Sequence, residues 1–328
     1  MKLVKIIFGA IRGAKETAKK IDCSKWSRVA IFFDIIYCKF KYHATYKEYL
    51  TYAFYNHKNR YRKNFLIEYH QQTKFKKLNN GLKITRSKYG FFSLIPECFN
   101  REIIMTAISG EDEFVSFAKK HGKIVVKPDV GSHGKDINIF LYTDDEQARK
   151  YYATFSKDIV CEEYIQQHEK INEINPFSVN SIRIVSFLEQ GEVKIVSATL
   201  KTGSRPGVIV DNMCSEGIGA QIDIPTGIIN THGFDYRGNT YVKHPISGVQ
   251  FLGFAIPNWD KAIQQVKDAH KKLPQCGIFG WDIAITQTGI DIIEANNKPG
   301  TRLMQMGDKK PKGKELLRAI KQAKKTKN

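Results

Sequence analysis

The stretch that most constrains this chain is Ile278–Arg302, IFGWDIAITQTGIDIIEANNKPGTR. Two apolar runs, Gly280–Thr286 and Ile290–Asn296, flank a short Thr/Gln/Gly turn, the pattern of a β-hairpin. Strand side chains alternate faces, so Asp282, Ala284 and Thr286 are expected to point one way, while Ile290, Ile292, Glu294 and Asn296 share a face. With Gln287–Gly289 as the loop, Asp282 pairs with Glu294, their Cβ atoms about 5 Å apart. Like charges directly opposite each other repel, and a divalent cation between them removes the conflict. Two carboxylates and an Asn amide are hard oxygen ligands suited to Mg²⁺ shared with substrate phosphates. The alternative is one solvent-facing side of an ordinary hairpin.

Charge bears on what such a hairpin serves. The chain has 328 residues, 42% of them hydrophobic, and a formal charge of +19, so it is a globular chain with a large core and a strong cationic bias. The bias sits at the ends: residues 1–80 carry 18 Lys/Arg against 5 Asp/Glu, and residues 309–328 carry 9 against 1. A nucleic-acid binder more often places its excess on the functional body. A neutral body with basic ends points to no specific nucleic acid but to an anionic surface: peripheral contact with membrane phospholipid headgroups, an acidic polymer, or RNA non-specifically. The six cysteines (23, 38, 98, 161, 214 and 276) show no paired C-x-x-C spacing, which argues against a zinc site or a disulfide framework and for a reducing cytoplasm. The best membrane-span candidate, Val29–Cys38, is short and interrupted by Asp34, and no secretory signal pattern is present.

Taken in order, residues 1–20 read as a basic amphipathic helix with Leu3, Ile7, Ile11, Ala14 and Ala18 at helical spacing. That face either lies on a membrane surface or packs on the protein body. Residues 24–80 continue helical, their aromatic residues (Tyr46, Tyr49, Tyr52, Phe54, Tyr55) read as core between solvated lysines. Lys123–Phe140 reads as strand, turn and strand, with Gly131 and Gly134 allowing backbone N–H groups to approach an anion. Lys127 alternates onto the face of Val125, a poor place for a cation unless something negative sits there. No G-K-[ST] opens a helix, so this is not a Walker A motif. Ile159–Ile165 is a strand entering an extended connector that can face an adenine edge, with Glu169 beyond it suited to ribose hydroxyls or simply part of a charged linker. Ser181–Leu188 carries Arg183 among apolar residues, and a buried guanidinium needs an anion. Val193–Lys201 leads into an irregular stretch, Thr202–Gly219, containing Arg205, Asp211 and Asn212.

The order Lys127, the Gly131–Lys135 loop, Glu162–Ile165 (EEYI), Asn180–Arg183 (NSIR), Asp282 and Glu294-x-Asn296 resembles the ATP-grasp superfamily. The E-Y-I-Q-x-H, S-V-N-S-I-R-I and V-D-N segments resemble its sugar-transfer-associated branch, as does Tyr49–Phe65. The resemblance spans roughly residues 45–306. It implies an α+β chain with an ATP-grasp fold, two α/β lobes gripping ATP, and a helical basic N-terminal extension. The regions expected are 1–80 (the extension), 81–165 (N-terminal and central subdomains with the Gly loop), 166–306 (C-terminal subdomain with the metal site) and 307–328 (a basic tail). It implies that Lys127 contacts the ATP phosphates and that Gly131, Ser132, His133 and Gly134 close over them. Glu162, Glu163, Tyr164 and Ile165 then form the adenine hinge, with Glu169 on the ribose. Arg183 neutralises the γ-phosphate or an acyl phosphate, and Asp282, Glu294 and Asn296 hold Mg²⁺. Lys201 and Arg205 join Arg183 as catalytic candidates, and Asn297, Pro299 and Gly300 follow the metal strand where the acceptor binds. Lys88 is the candidate second phosphate lysine. Asp136 replaces the last glycine of the family loop, and Lys201 stands where arginine is more usual.

The function expected is an ATP- and Mg²⁺-dependent carboxylate–amine ligase working through an acyl phosphate. Its substrates would be small-molecule or glycan carboxylates and amines in surface-polysaccharide or capsule biosynthesis, in the cytoplasm or on the inner membrane face. One alternative is a phosphotransferase to a sugar hydroxyl, with Asp211 as base. Another is a non-catalytic basic protein that binds nucleotide or polyanion.

Overall fold

The computed structural model describes residues 2–79, 84–131, 136–156, 158–207, 211, 213–314 and 316–318. The chain opens with six helices, α1 (Lys2–Lys19), α2 (Lys25–Tyr42), α3 (Tyr46–Thr51), α4 (Asn59–Arg62), α5 (Glu68–Leu78) and α6 (Lys88–Phe92). Capping marks their starts: Ser24 accepts from the N–H of Ser27, and Thr45 and Glu48 form a reciprocal capping box. Ala14, Ala18, Ile35, Tyr49, Tyr52 and Phe54 share one buried cluster. The small face of α1 therefore packs on the body: a Cβ on Gly13 would meet the Tyr46 ring at 2.3 Å, and Tyr46 donates to the Ala10 carbonyl. The tyrosines of 49–52 are core, as their helical spacing suggested. Arg62, buried beneath them, donates to both carboxylate oxygens of Asp34.

A four-stranded antiparallel sheet follows, in order β1 (Ile103–Met105), β4 (Ile159–Glu163), β2 (Lys123–Pro128), β3 (Asn138–Leu141), with α7 (Thr106–His121) and α8 (Asp145–Tyr152) on one face. Phe114, Phe117 and Ala148 of the helices pack on Ile124, Val126, Phe140 and Cys161. Strand alternation then turns Val125 and Lys127 to the opposite face. Gly110 is non-helical (φ 78°), so the regular part of α7 begins at the acidic Glu111, which suits the helix dipole.

After α9 (Glu169–Asn172) comes a seven-stranded antiparallel sheet. Its strands are β5 (Ile182–Glu189), β6 (Glu192–Thr202), β7 (Ile218–Ile222), β8 (Gly233–Phe234), β9 (Thr240–Tyr241), β10 (Ile278–Ile285) and β11 (Ile290–Asn296), in the order β11-β10-β5-β6-β7-β8-β9. Helix α10 (Trp259–Lys271) covers one face through Ala262, Val266 and Ala269 against Ile184, Trp281 and Ile283. The other face carries Arg183, Lys201 and Asp282 at one end. At the other end Val185, Phe187 and Ile278 pack on Leu66 and Phe75 of the helical region and on Met304 of α11 (Thr301–Gln305). Hydrogen bonds fasten that region down: Gln305 pairs with both backbone groups of Leu66, and Asn79 pairs with both of Ile278.

The terminal hairpin forms with one change of detail. Asp282 faces Glu294 as the sequence indicates, but the turn is longer: Ile285 pairs with Ile290. A β-bulge at Ile293 restores the register. The bulge also changes which residues share a face. Ile290 and Ile292 lie with Ala295 in the core, while Ile293, Glu294 and Asn296 line a cleft. The expected single face of Ile290, Ile292, Glu294 and Asn296 is therefore broken between Ile292 and Glu294. Among the described residues no helix is long and apolar enough to cross a membrane, and no disulfide joins the six cysteines.

Candidate active site

The two sheets enclose a cleft of about 440 Å³. Three adjacent strands set a row of charge along its floor, because Arg183 on β5 is registered with Asp282 on β10, which is registered with Glu294 on β11. Arg183 grips Asp282 in a two-pronged ion pair, Nε to Oδ1 and NH2 to Oδ2 both at 2.6 Å. Lys201 of β6 lies 3.2 Å from Asp282 Oδ1 and 3.5 Å from Asp211 Oδ1. Asp211 also accepts from the N–H and hydroxyl of Ser181. Burial by itself would raise the Asp282 pKa, but Arg183 and Lys201 outweigh it and hold the carboxyl well below its usual range. Lys201 is likewise buried, yet Asp211 and Asp282 keep its pKa above the ordinary lysine value.

The repulsion between Asp282 and Glu294 is thus relieved by the protein's own cations, and the charge conflict alone does not call for a metal. Glu294, Asn296 and Asp282 still converge on the cleft. Asn296 donates its amide N–H to Glu294 Oε1, which turns the amide as a donor toward the carboxylate. Three carboxylates (Asp211, Asp282, Glu294) here face two cations (Arg183, Lys201), but the three are not grouped so as to hold a metal ion, and a hard cation would rest on the oxygens of Asp282 and Glu294 with the Asn296 amide. Asp282 reaches such a cation only by giving up part of its hold on Arg183. Among the described residues no group of three His, Cys, Asp or Glu side chains forms a metal cluster.

The opposite wall comes from the small sheet. Lys127 Nζ lies 2.6 Å from Glu162 Oε1, which answers what negative group keeps a lysine beside Val125. Glu162 Oε2 accepts from Arg101 Nε and NH2, and Arg101 NH1 donates to Asp291 Oδ1 at 2.6 Å and to the Ile292 carbonyl. Burial would raise the Glu162 pKa, but Arg101 and Lys127 together lower it. Lys88 donates to the carbonyls of Pro128 and Asp129 beside Gly131, and burial followed by the nearby Lys127 lowers its pKa. Arg101 has no signal in the sequence, being one basic residue before a three-residue strand. Only the fold brings it to Asp291.

Glu163 at the end of β4 and Tyr164 and Ile165 beyond it line the cleft, and Ile103, Val125 and Ile139 also line it with apolar surface. Lys123 Nζ sits 3.5 Å over the Tyr164 ring. Gly131 and Gly300 also line the cleft, whereas Ser132, His133 and Gly134 lie outside the described residues, as does Asn212. Three expected site residues are not brought in. Glu169 opens α9 and is exposed, because the connector turns helical at His168, whose Nδ1 accepts from the N–H of Lys170. Arg205 is 63% exposed and ion-paired with Glu216, which also holds Arg237. Asn297 uses its carbonyl to accept from Asn79 and is not part of the lining. At that end Met213, Cys214, Tyr236 and Leu303 complete the cleft, none of them singled out by sequence. Arg302 lies 4.4 Å over the Tyr236 ring.

A family model described as sugar-transfer associated ATP-grasp matches residues 50–322. The chain belongs to that family. Its ATP-grasp fold accounts for the two lobes and for the cleft between their sheets. No curated protein matches the sequence. Among solved structures, it is similar to the ATP-grasp ligase PsnB complexed with minimal precursor, Mg and ADP, at 13% identity and TM-score 0.44 over 73% of this chain and 59% of that one. It is also similar to N5-carboxyaminoimidazole synthase from Aspergillus clavatus, at 9% identity and TM-score 0.45 over 74% and 52%. D-alanyl-alanine synthetase A from Vibrio cholerae O1 biovar eltor matches at 14% identity and TM-score 0.44 over 73% and 65%. The ATP-grasp chain spans between about half and two thirds of the length of these three.

Proposed function

We propose that this ATP-grasp protein is an ATP-dependent carboxylate–amine ligase acting on a sugar or polysaccharide precursor. In the reaction a substrate carboxylate takes the γ-phosphoryl group of ATP, releasing ADP. An amine then attacks the acyl carbon, loses a proton, and displaces phosphate to leave an amide. The observation that carries this reading is the pairing of walls: Lys127 and Lys88 on one side of the cleft face Arg183, Lys201 and the carboxylate row on the other. Such chemistry needs no protein nucleophile. It needs a dry cleft with fixed charges where phosphate oxygens collect negative charge.

The apolar slot beside Tyr164 and Ile165 would take the base, and Lys127 and Lys88 the phosphates. Glu294 and Asn296, joined by Asp282, would hold Mg²⁺, which when bound supplies neutralisation of phosphate charge. Arg183 and Lys201 would meet the transferring group, and the Met213–Tyr236–Leu303 end would receive the acceptor. The phosphotransferase alternative is less well supported, because the Asp211 carboxylate is already engaged, accepting from Ser181 twice and contacting Lys201. The deciding experiment screens sugar acids, amino sugars and amino acids for ADP release and identifies the product by mass. An amide with free phosphate supports the ligase; a phosphoester, or no ADP release across the screen, rejects it.

A further inference from the structure

Helix α2 is apolar on two faces, and only one of them is used. Ile35 and Cys38 are buried against the helical core, with Ile31, Phe32 and Ile36 packed beside them. On the other side Trp26, Val29, Phe33, Tyr37 and Phe40 follow at steps of three and four residues, so they form one stripe about 21 Å long. Their exposures are 83%, 46%, 63%, 43% and 61%, far above those of the chain's other two tryptophans, Trp259 at 6% and Trp281 at 0%. Phe8 and Ile11 on the adjoining α1 are exposed as well. A helix that is hydrophobic all round is normally buried on all sides, so this face is unpartnered. Among the described residues it shares only Ile11 with the face that residue spacing in the first twenty residues offers for a membrane, since Ala14 and Ala18 of that face are buried.

We propose that the α2 stripe docks on the surface of an anionic phospholipid bilayer. Charge complementarity selects this occupant. Residues 2–42 carry ten Lys/Arg and three Asp/Glu. Of those acids, Asp34 is held by Arg62 and Glu16 by Lys19. Two copies of so cationic a face repel, which disfavours a dimer through it. An anionic headgroup layer attracts it. Lys25 and Lys41 bracket the stripe along the helix, while Arg28 and Lys39 turn to the packed side, onto the Cys23 carbonyl and the Tyr46 ring. Shape agrees: five large side chains project from one helix, which suits a deformable surface better than a protein partner with a matching pocket for each. Trp and Tyr are the residue types that settle at headgroup depth. This surface lies on α1 and α2, away from the cleft, so the inference stands apart from the ligase reading.

The test uses the full chain and sedimentation with vesicles of phosphatidylcholine alone or mixed equally with phosphatidylglycerol. The mixed vesicles are expected to carry the protein down, with a blue shift and gain of tryptophan emission, since Trp26 is the one solvent-exposed indole. The double variant Phe33→Ser/Phe40→Ser should partition at least about tenfold less while melting like wild type, because both side chains are already in water. Lys25→Glu/Lys41→Glu should weaken binding and remove its salt dependence. Wild type left in the supernatant with mixed vesicles, or a double-serine variant that sediments equally well, overturns the proposal. So does a solution dimer that the double-serine variant splits, which would assign the stripe to a second copy.

Discussion

Arg183 and Asp282 stand opposite each other on adjacent strands, 99 residues apart in the chain, and close a two-pronged ion pair on the floor of the cleft. Lys201 shares the same carboxylate. The two halves of the pair are therefore not equivalent. Arg183→Met leaves Asp282 neutralised by Lys201, whereas Asp282→Asn leaves Arg183 without its anion and Lys201 with Asp211 alone. Urea denaturation should show the asparagine variant as the less stable, by a few kcal/mol relative to wild type, on the order of the cost of breaking a buried pair. Both should lower kcat by about 100-fold or more, as expected for lost charge stabilisation in a water-poor site.

Lys127 and Arg101 both hold Glu162 but should fail differently. Lys127→Met leaves Glu162 with Arg101, so the fold persists and the loss appears in nucleotide affinity, about tenfold or more by calorimetry with ADP. Arg101→Met leaves Glu162 to Lys127 alone, strands Asp291 in the interior and removes a tie between the sheets. Its cost should appear in stability, roughly 3–5 kcal/mol.

Metal dependence tests the carboxylate row. Chelation should abolish ADP release and added Mg²⁺ should restore it. Glu294→Gln should raise the Mg²⁺ concentration for half-maximal rate by about tenfold, with the thermal midpoint of the metal-free protein nearly unchanged. A variant with wild-type Mg²⁺ response would remove Glu294 from the ligand set.

His270 supplies a pH dependence remote from the site. Its Nε2 faces the Cys276 carbonyl, which can only accept, so that nitrogen carries the proton and Nδ1 accepts from the Ser186 hydroxyl at 2.7 Å. Trp281 donates to the same hydroxyl oxygen. Burial lowers the His270 pKa from its ordinary 6.5 to about 4. Between those values the unfolded chain binds the proton and the folded one does not. Stability is thus full above pH 6.5 and falls as pH drops toward 4, by up to roughly 3 kcal/mol. His270→Gln should flatten that slope in urea titrations run from pH 4 to 7.

Some of this architecture is legible in local pattern. Alternation along a strand tells which face Lys127 or Arg183 occupies, because a side chain's direction is set by its own backbone. The Asp282–Glu294 pairing is legible for the same reason, the two residues lying on one hairpin. Even there the loop was read one residue too short, and the bulge at Ile293 that restores the register is not encoded in any periodicity. Ordered motifs likewise sufficed for the family, since their spacing carries over between chains.

What tertiary structure alone decided is which charge meets which. Lys127 meets Glu162, Arg101 meets Asp291, and Asp211 meets Ser181, through segments that pack together only in the folded chain. The turn at His168 that sends Glu169 to solvent belongs with these. Helix α2 shows the limit most plainly. Apolar residues surround it, so no moment calculated from the sequence can tell its buried face from its bare one. Burial is a property of neighbours, and the neighbours of α2, α1 and α3, leave its stripe from Trp26 to Phe40 uncovered.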